Sequence, residues 1–299
     1  MFITDYKFRY SFLRSKGMYA HLSDEDFLKK AYEVRFDKNL NLEEPVSFNE
    51  KLQWLKIHDK NQLYVTMVDK IAVKEYVKTK IGEEYIIKTL GTWDKFDEID
   101  FSLLPNSFVL KCSHDSGSTV VCKEKEFFDL KKAKKQIEKC LSVNYYNFGR
   151  EFPYKDVTPR ILAEEYMVDD KTGELRDYKF FCFWGKVKFY KIDFDRFTGH
   201  RANYYDLNHK VLPFGEKVCP PDFERQLEQP HNLKKMVQLA EKLAEGIPFV
   251  RVDFYEVNNK VFFGEITFYP GSGFVPILPE EWDIKIGNLI DLNLNNHCK

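Results

Sequence analysis

Between Phe249 and Phe274 the chain reads FVRVDFYEVNNKVFFGEITFYPGSGF, two apolar, β-branched and aromatic runs on either side of Asn258-Asn259. That pattern predicts a β-hairpin. Each run carries one carboxylate out of keeping with a buried strand, Asp253 and Glu265. Side chains alternate faces along a strand, so the loop length decides whether the two acids meet. A two-residue loop would set Asp253 opposite Gly264 and turn Glu265 to the other face. A three-residue loop, Asn258-Asn259-Lys260, sets Asp253 across from Glu265 and Arg251 across from Thr267. It also gathers Val250, Val252, Phe254, Ile266 and Phe268 on one apolar face. Asparagine tolerates the left-handed backbone of such a loop, so the three-residue form is expected.

Two carboxylates facing each other inside a sheet repel, and burying them is costly unless something cationic neutralises them. Mg²⁺ takes oxygen ligands and commonly binds one or two carboxylates together with substrate phosphates. The alternative is that Arg251 pairs with one carboxylate while water solvates the other.

The 299 residues suffice for two or three packed units, and 43% hydrophobic with 31% charged residues fits a globular protein. A formal net charge of −1 provides no field to recruit nucleic acid. No run reaches the length of a membrane span, and MFITDYKFRYSFLRSKG lacks the apolar centre of a signal peptide, so a cytoplasmic protein is expected. That aromatic and basic start can touch a membrane surface, although a docked first helix is the simpler expectation. The six cysteines, Cys298 among them, show no CxxC and read as free thiols, mostly buried. The seven histidines show no zinc spacing.

Residues 1–82 read as helical. Ser23 precedes Phe27, Leu28, Ala31 and Tyr32, and Ser47 with Glu50 forms a capping box ahead of Phe48, Leu52 and Leu55. A further helix is expected from about Gln62 to Lys80, with Leu63, Met67, Val68, Ile71, Ala72 and Tyr76 inward. Residues 83–160 hold strand-like runs at 86–90, 108–112 and 119–123 and a helix at about 127–143. From 161 to 299 strands dominate: 161–166, then 177–184 and 187–193 turned at Gly185-Lys186, with 196–231 loop-rich and a helix at about 232–245.

Lys111 ends one strand-like run, and Ser113-His-Asp-Ser-Gly-Ser118 leads into the next. Such a loop can turn backbone N–H groups toward phosphate oxygens while the lysine supplies a point charge, or it can be an ordinary surface hairpin. It lacks the order of a P-loop. Glu164-Glu165-Tyr166-Met167 ends a strand where backbone groups can read an adenine edge, with Tyr166 and Met167 as a floor. Asp177 can bond ribose hydroxyls, with Lys179 on the same face by period two; an edge strand with a surface acid and lysine reads equally well.

The order of these elements resembles the ATP-grasp superfamily. More narrowly, Pro45 to Lys56, Asp69 to Val77 and the hairpin with its P-G-S-G-F tail resemble the TupA-like ATP-grasp proteins, associated with teichuronopeptide and capsular polysaccharide synthesis. The resemblance implies an α+β ATP-grasp fold with a helical N-terminal region at 1–82, a small subdomain at 83–160 and a large subdomain at 161–299. It implies ATP and Mg²⁺ as cofactors. Lys70 and Lys111 match the phosphate lysines, Ser116, Gly117 and Ser118 the phosphate-covering loop, and Glu164 and Glu165 the adenine hinge, with Tyr166 and Met167 beside it. Asp177 matches the ribose acid with Lys179 near, Asp253 and Glu265 the magnesium ligands, and Arg251 an arginine at the acyl-transfer centre. Thr267 stands where the superfamily usually carries an asparagine ligand. The implied reaction is ligation of a carboxylate on a sugar or glycan to a small amine through an acyl phosphate. A glycosyltransferase or a non-ligase phosphotransferase is the rival; the Asp193-Phe-Asp195 element has a DxD form but lies in an expected ATP-binding segment.

Overall fold

The computed structural model describes residues 6–15, 17–170, 173, 175–195 and 199–294, so Cys298 lies outside the described residues. The chain begins with helices α1 (Tyr6–Ser15), α2 (Asp24–Phe36) and α3 (Phe48–His58). Ser23 caps α2 by accepting from the Asp26 N–H. The expected capping box opens α3: Ser47 Oγ accepts from the Glu50 N–H, and Glu50 accepts from the Ser47 N–H at 2.9 Å. Phe48, Leu52 and Leu55 are buried as the helical spacing requires. Helix α1 docks through buried Tyr10, whose ring stacks on Tyr19, in a small core with Phe27, Leu28 and Tyr32.

The single helix expected at about 62–80 is broken. It forms α4 (Leu63–Val68) and α5 (Val73–Ile81), and Leu63 is exposed rather than inward. The Asp69 carboxylate accepts from the Ile71 N–H at 2.8 Å, and the Lys70 N–H donates to Ser113 O at 3.0 Å. An aspartate that caps a new helix start interrupts the old one. Lys70 therefore sits in the break and not on a helix.

A four-stranded antiparallel sheet follows in the order β1-β4-β2-β3: β1 (Thr89–Trp93), β2 (Phe108–Cys112), β3 (Val120–Cys122) and β4 (Ile161–Glu165). The strand expected at 86–90 thus begins later, because Glu83–Tyr85 forms a turn of 3-10 helix. Helix α6 (Leu130–Leu141) seals one face of this sheet with Ala133 and Ile137, and short α7 (Tyr146–Gly149) leads out of it. Strand β4 pairs with both β1 and β2, so the crossing to the next sheet falls after Glu165 and not at residue 161.

The second sheet is antiparallel in the order β10-β9-β5-β6-β7: β5 (Asp177–Phe183), β6 (Lys186–Phe194), β7 (Arg201–Tyr205), β9 (Phe249–Val257) and β10 (Lys260–Thr267). Strand β7 lies inside the stretch expected to be loop; Ala202 is buried, and Tyr204 and Tyr205 pack against Phe189, Tyr190 and Phe214. The β5–β6 turn is Trp184-Gly185, both at positive φ, one residue before the expected position. A two-stranded ribbon joins β8 (Gly215–Glu216) to β11 (Ile277–Leu278). Helix α8 (Leu233–Leu243) covers the large sheet with Leu233, Met236, Leu239, Ala240 and Leu243. Phe48 from α3 packs edge-on to Phe249, drawing α3 into the same core. Among the described residues, no helix is long and apolar enough to cross a membrane.

Candidate active site

The hairpin loop has two residues and not three. Val257 pairs with Lys260, and Asn258 and Asn259 both adopt positive φ, 51° and 61°, as a type I′ turn requires. A regular ladder from that turn would have separated Asp253 and Glu265. A β-bulge between Phe263 and Glu265 adds one residue and restores the pairs Asp253 with Glu265 and Arg251 with Thr267. Glycine suits the bulge: a Cβ on Gly264 would lie 3.0 Å from Asp253 O and 3.2 Å from the Tyr255 ring. Val250, Val252, Phe254, Ile266 and Phe268 are all buried on the opposite face, as the period-two pattern requires.

Arg251 neutralises both acids. Its Nε donates to Asp253 Oδ1 at 2.7 Å, and Nη2 donates to Asp253 Oδ2 at 2.7 Å, Glu265 Oε1 at 2.6 Å and Thr267 Oγ1 at 3.1 Å. From β5, Lys179 donates to Asp253 Oδ2 at 2.8 Å and also faces Asp177 at 3.4 Å and Asp193 at 3.7 Å. Burial alone would raise the Glu265 pKa, but Arg251, Lys179 and Lys70 outweigh it and hold the carboxyl below its ordinary value. Burial would lower that of Lys179, yet Asp253, Asp177 and Asp193 drive it upward. The donor set fits Mg²⁺: two carboxylates face the cavity from adjacent strands, and 41% of the Glu265 side chain remains exposed there. Thr267 does not line the cavity; its hydroxyl is engaged with Arg251 and with Glu265 at 3.2 Å.

The cavity between the two sheets has a volume of about 830 Å³. Ile86, Ile87, Glu165, Tyr166, Met167 and Phe263 line it, together with Lys70, Lys111, Ser116, Gly117, Lys179 and Glu265. Asp177 and Asp253 also face it, so all but three of the expected site residues converge. The exceptions are Arg251, which lies against the carboxylates, Thr267, and Ser118. Buried Ser118 accepts from the Cys112 N–H at 2.7 Å and donates to Asp115 Oδ1 at 2.6 Å, closing the loop on itself. Gly117, at φ 107°, supplies a conformation that side chains rarely adopt.

Glu164 lies in the cavity wall, where its carboxylate bridges two lysines: Lys74 at 2.6 Å and Lys111 at 2.7 Å. Burial would raise its pKa, but the two ammonium groups reverse this and lower it. Lys70 bonds Asp115 O; burial lowers its pKa, against the pull of Asp115 and Glu265. Sequence reasoning missed Lys74, Tyr154 and Tyr255 in the cavity wall, and it met Asp193 only as part of a DxD-form element. Lys74 carried a signal, since it closes the D-K-x-x-V-K run.

The family model for TupA-like ATP-grasp proteins matches residues 50–291. No curated protein matches the chain. Among solved structures, N5-carboxyaminoimidazole synthetase from Staphylococcus aureus is similar at 14% identity and a TM-score of 0.41, over 72% of this chain and 50% of that one. D-alanine–D-alanine ligase from Bacillus anthracis, complexed with ATP, is similar at 12% identity and 0.39, over 68% and 54%. D-alanine–D-alanine ligase from Helicobacter pylori is similar at 17% identity and 0.37, over 85% and 68%. The chain thus spans about half the length of the first of these proteins. With the family match running through both sheets and the hairpin, the α+β fold is an ATP-grasp fold, and the chain belongs to the TupA-like ATP-grasp family.

Proposed function

We propose that the chain is a cytoplasmic ATP-dependent carboxylate–amine ligase acting on uronic-acid or amino-acid groups of a capsular or cell-wall polysaccharide. The observation that carries this reading is the convergence of Lys70, Lys111 and the Asp253–Glu265 pair on one cavity between two sheets. ATP is strongly anionic, so a carboxylate can attack its γ-phosphate only where the phosphate chain is neutralised. Lys70 and Lys111 bind phosphate oxygens, and Mg²⁺ held by Asp253 and Glu265 would screen the remaining charge. Glu165 to Met167 hold the adenine end, and Asp177 is assigned to the ribose. Ser116 and Gly117 cover the phosphates and keep water from the acyl phosphate. Arg251 aligns the two carboxylates and helps to keep that of Glu265 ionised, with Thr267 orienting its guanidinium.

Incubation with ATP, Mg²⁺, a panel of uronic acids and a panel of amines is expected to yield ADP, phosphate and a new amide mass. Product from a UDP-sugar without ATP would overturn the reading in favour of a glycosyltransferase. Asp253→Asn and Glu265→Gln are each expected to abolish turnover.

A further inference from the structure

We propose that Lys74 and Glu164 are positioning residues for ATP: they hold the Lys111 ammonium at the cavity wall and leave the group of three one net positive charge. This rests on the ATP-binding part of the reading above.

The three side chains reach the cavity from three elements. Glu164 on β4 pairs with Val109, two residues before Lys111 on β2, so acid and lysine share one face of the sheet. Lys74 comes from the first turn of α5. Both Glu164 oxygens are engaged: Oε1 lies 2.6 Å from Lys74 Nζ, and Oε2 accepts from Lys111 Nζ at 2.7 Å. With its carboxylate held in this way, Glu164 acts on the nucleotide through Lys111, and the adenine edge is left to Glu165 and the residues after it.

The two lysines are not equivalent. An ammonium has three N–H groups to donate. Lys74 uses all of them, on Glu164, on Ile87 O at 2.8 Å and on Thr89 Oγ1 at 2.8 Å. Lys111 bonds Glu164 alone among the described residues, which leaves it two N–H groups for phosphate oxygens. Lys74 is therefore the counter-ion of Glu164 and not a phosphate ligand.

Charge gives the arrangement its purpose. Glu164 and Lys111 by themselves sum to zero and would meet the triphosphate as a neutral pair, whose attraction for an anion is far weaker than that of a cation. Lys74 brings the sum to +1. Glu164 is needed in turn, because two ammonium groups side by side repel. Burial lowers the Lys74 pKa and Lys111 adds to this, while Glu164 pulls the other way.

The experiment is a charge count, read as MgATP affinity by calorimetric titration of the full chain. Lys74→Met takes the sum to zero while Glu164 stays paired with Lys111, and it is expected to weaken MgATP binding about tenfold. Lys74→Met combined with Glu164→Gln returns the sum to +1 and keeps an amide oxygen for Lys111. This double variant is expected to bind MgATP within about threefold of the wild type. A merely structural role gives the opposite order, since the second substitution would only remove a further ionic contact. Undiminished affinity in Lys74→Met, or a double variant that binds no tighter than Lys74→Met, would overturn the assignment. If Lys74→Met does not fold, the double variant decides by itself, and binding weaker than that threefold margin overturns it. Absence of MgATP binding by the wild type would instead overturn the ATP-dependent reading, and this assignment with it.

Discussion

Replacing Arg251 with methionine removes the cation that spans the hairpin acids while keeping most of the side-chain volume. Arg251 contributes two bonds to Asp253, one to Glu265 and one to Thr267, all between 2.6 and 3.1 Å. Breaking a buried ion pair by removing one partner costs roughly 3–5 kcal/mol. The lower end applies here, because Asp253 keeps Lys179 at 2.8 Å and Glu265 is 41% exposed. A loss of about 3 kcal/mol corresponds to a fall in Tm of roughly 5 °C for a chain of this size. The pH dependence gives the sharper test. In the wild type the Glu265 pKa lies below its ordinary 4.5, so its contribution to stability is present above 4.5 and is lost as pH falls through the depressed value. Without Arg251 the burial that opposes ionisation is less opposed, and the pKa climbs. The gap between the two proteins should therefore open as pH rises from about 4 to 7. Urea denaturation at both pH values measures it. An equal deficit at pH 4 and pH 7 would refute the electrostatic account and leave packing as the cause.

Ser118→Ala should cost about 1–2 kcal/mol, since it removes the acceptor of the buried Cys112 N–H and the donor to Asp115; thermal denaturation would show a lowered Tm, and an unchanged one would contradict the clasp. Gly273→Ala should cost at least about 1–2 kcal/mol from the left-handed backbone alone. Its φ is 62°, and a Cβ would fall 2.4 Å from Gln53 Nε2, so a variant as stable as the wild type would mean the loop can move away from α3 at little cost.

Local chemistry was legible in the sequence. The Ser47–Glu50 box, the buried face of β9 and β10, and the strands on either side of the Ser113 to Ser118 loop each depend on residues within a few positions of one another. What escaped depends on long-range partners. The break at Asp69 is coupled to a bond from the Lys70 N–H to Ser113, on a loop 43 positions away. Strand β7 is polar enough to read as loop until Phe214 covers Tyr204. The hairpin is the instructive case: the pairing of Asp253 with Glu265 was expected, yet for the wrong reason. The two-residue turn follows from the Asn pair, and the extra residue sits at Gly264, where one strand sequence alone does not reveal a bulge. Lys74 repeats the lesson, because a surface lysine and a buried partner of Glu164 look alike until the fold brings α5 to that strand.

Calorimetric titration of ATP into the wild type and into Glu265→Gln, each with Mg²⁺ and with the metal chelated, tests the central claim most directly. The account predicts one nucleotide per chain, tightened by Mg²⁺ in the wild type and indifferent to it in the variant. Equal Mg²⁺ enhancement in both proteins would contradict the assignment of the hairpin carboxylates to the metal.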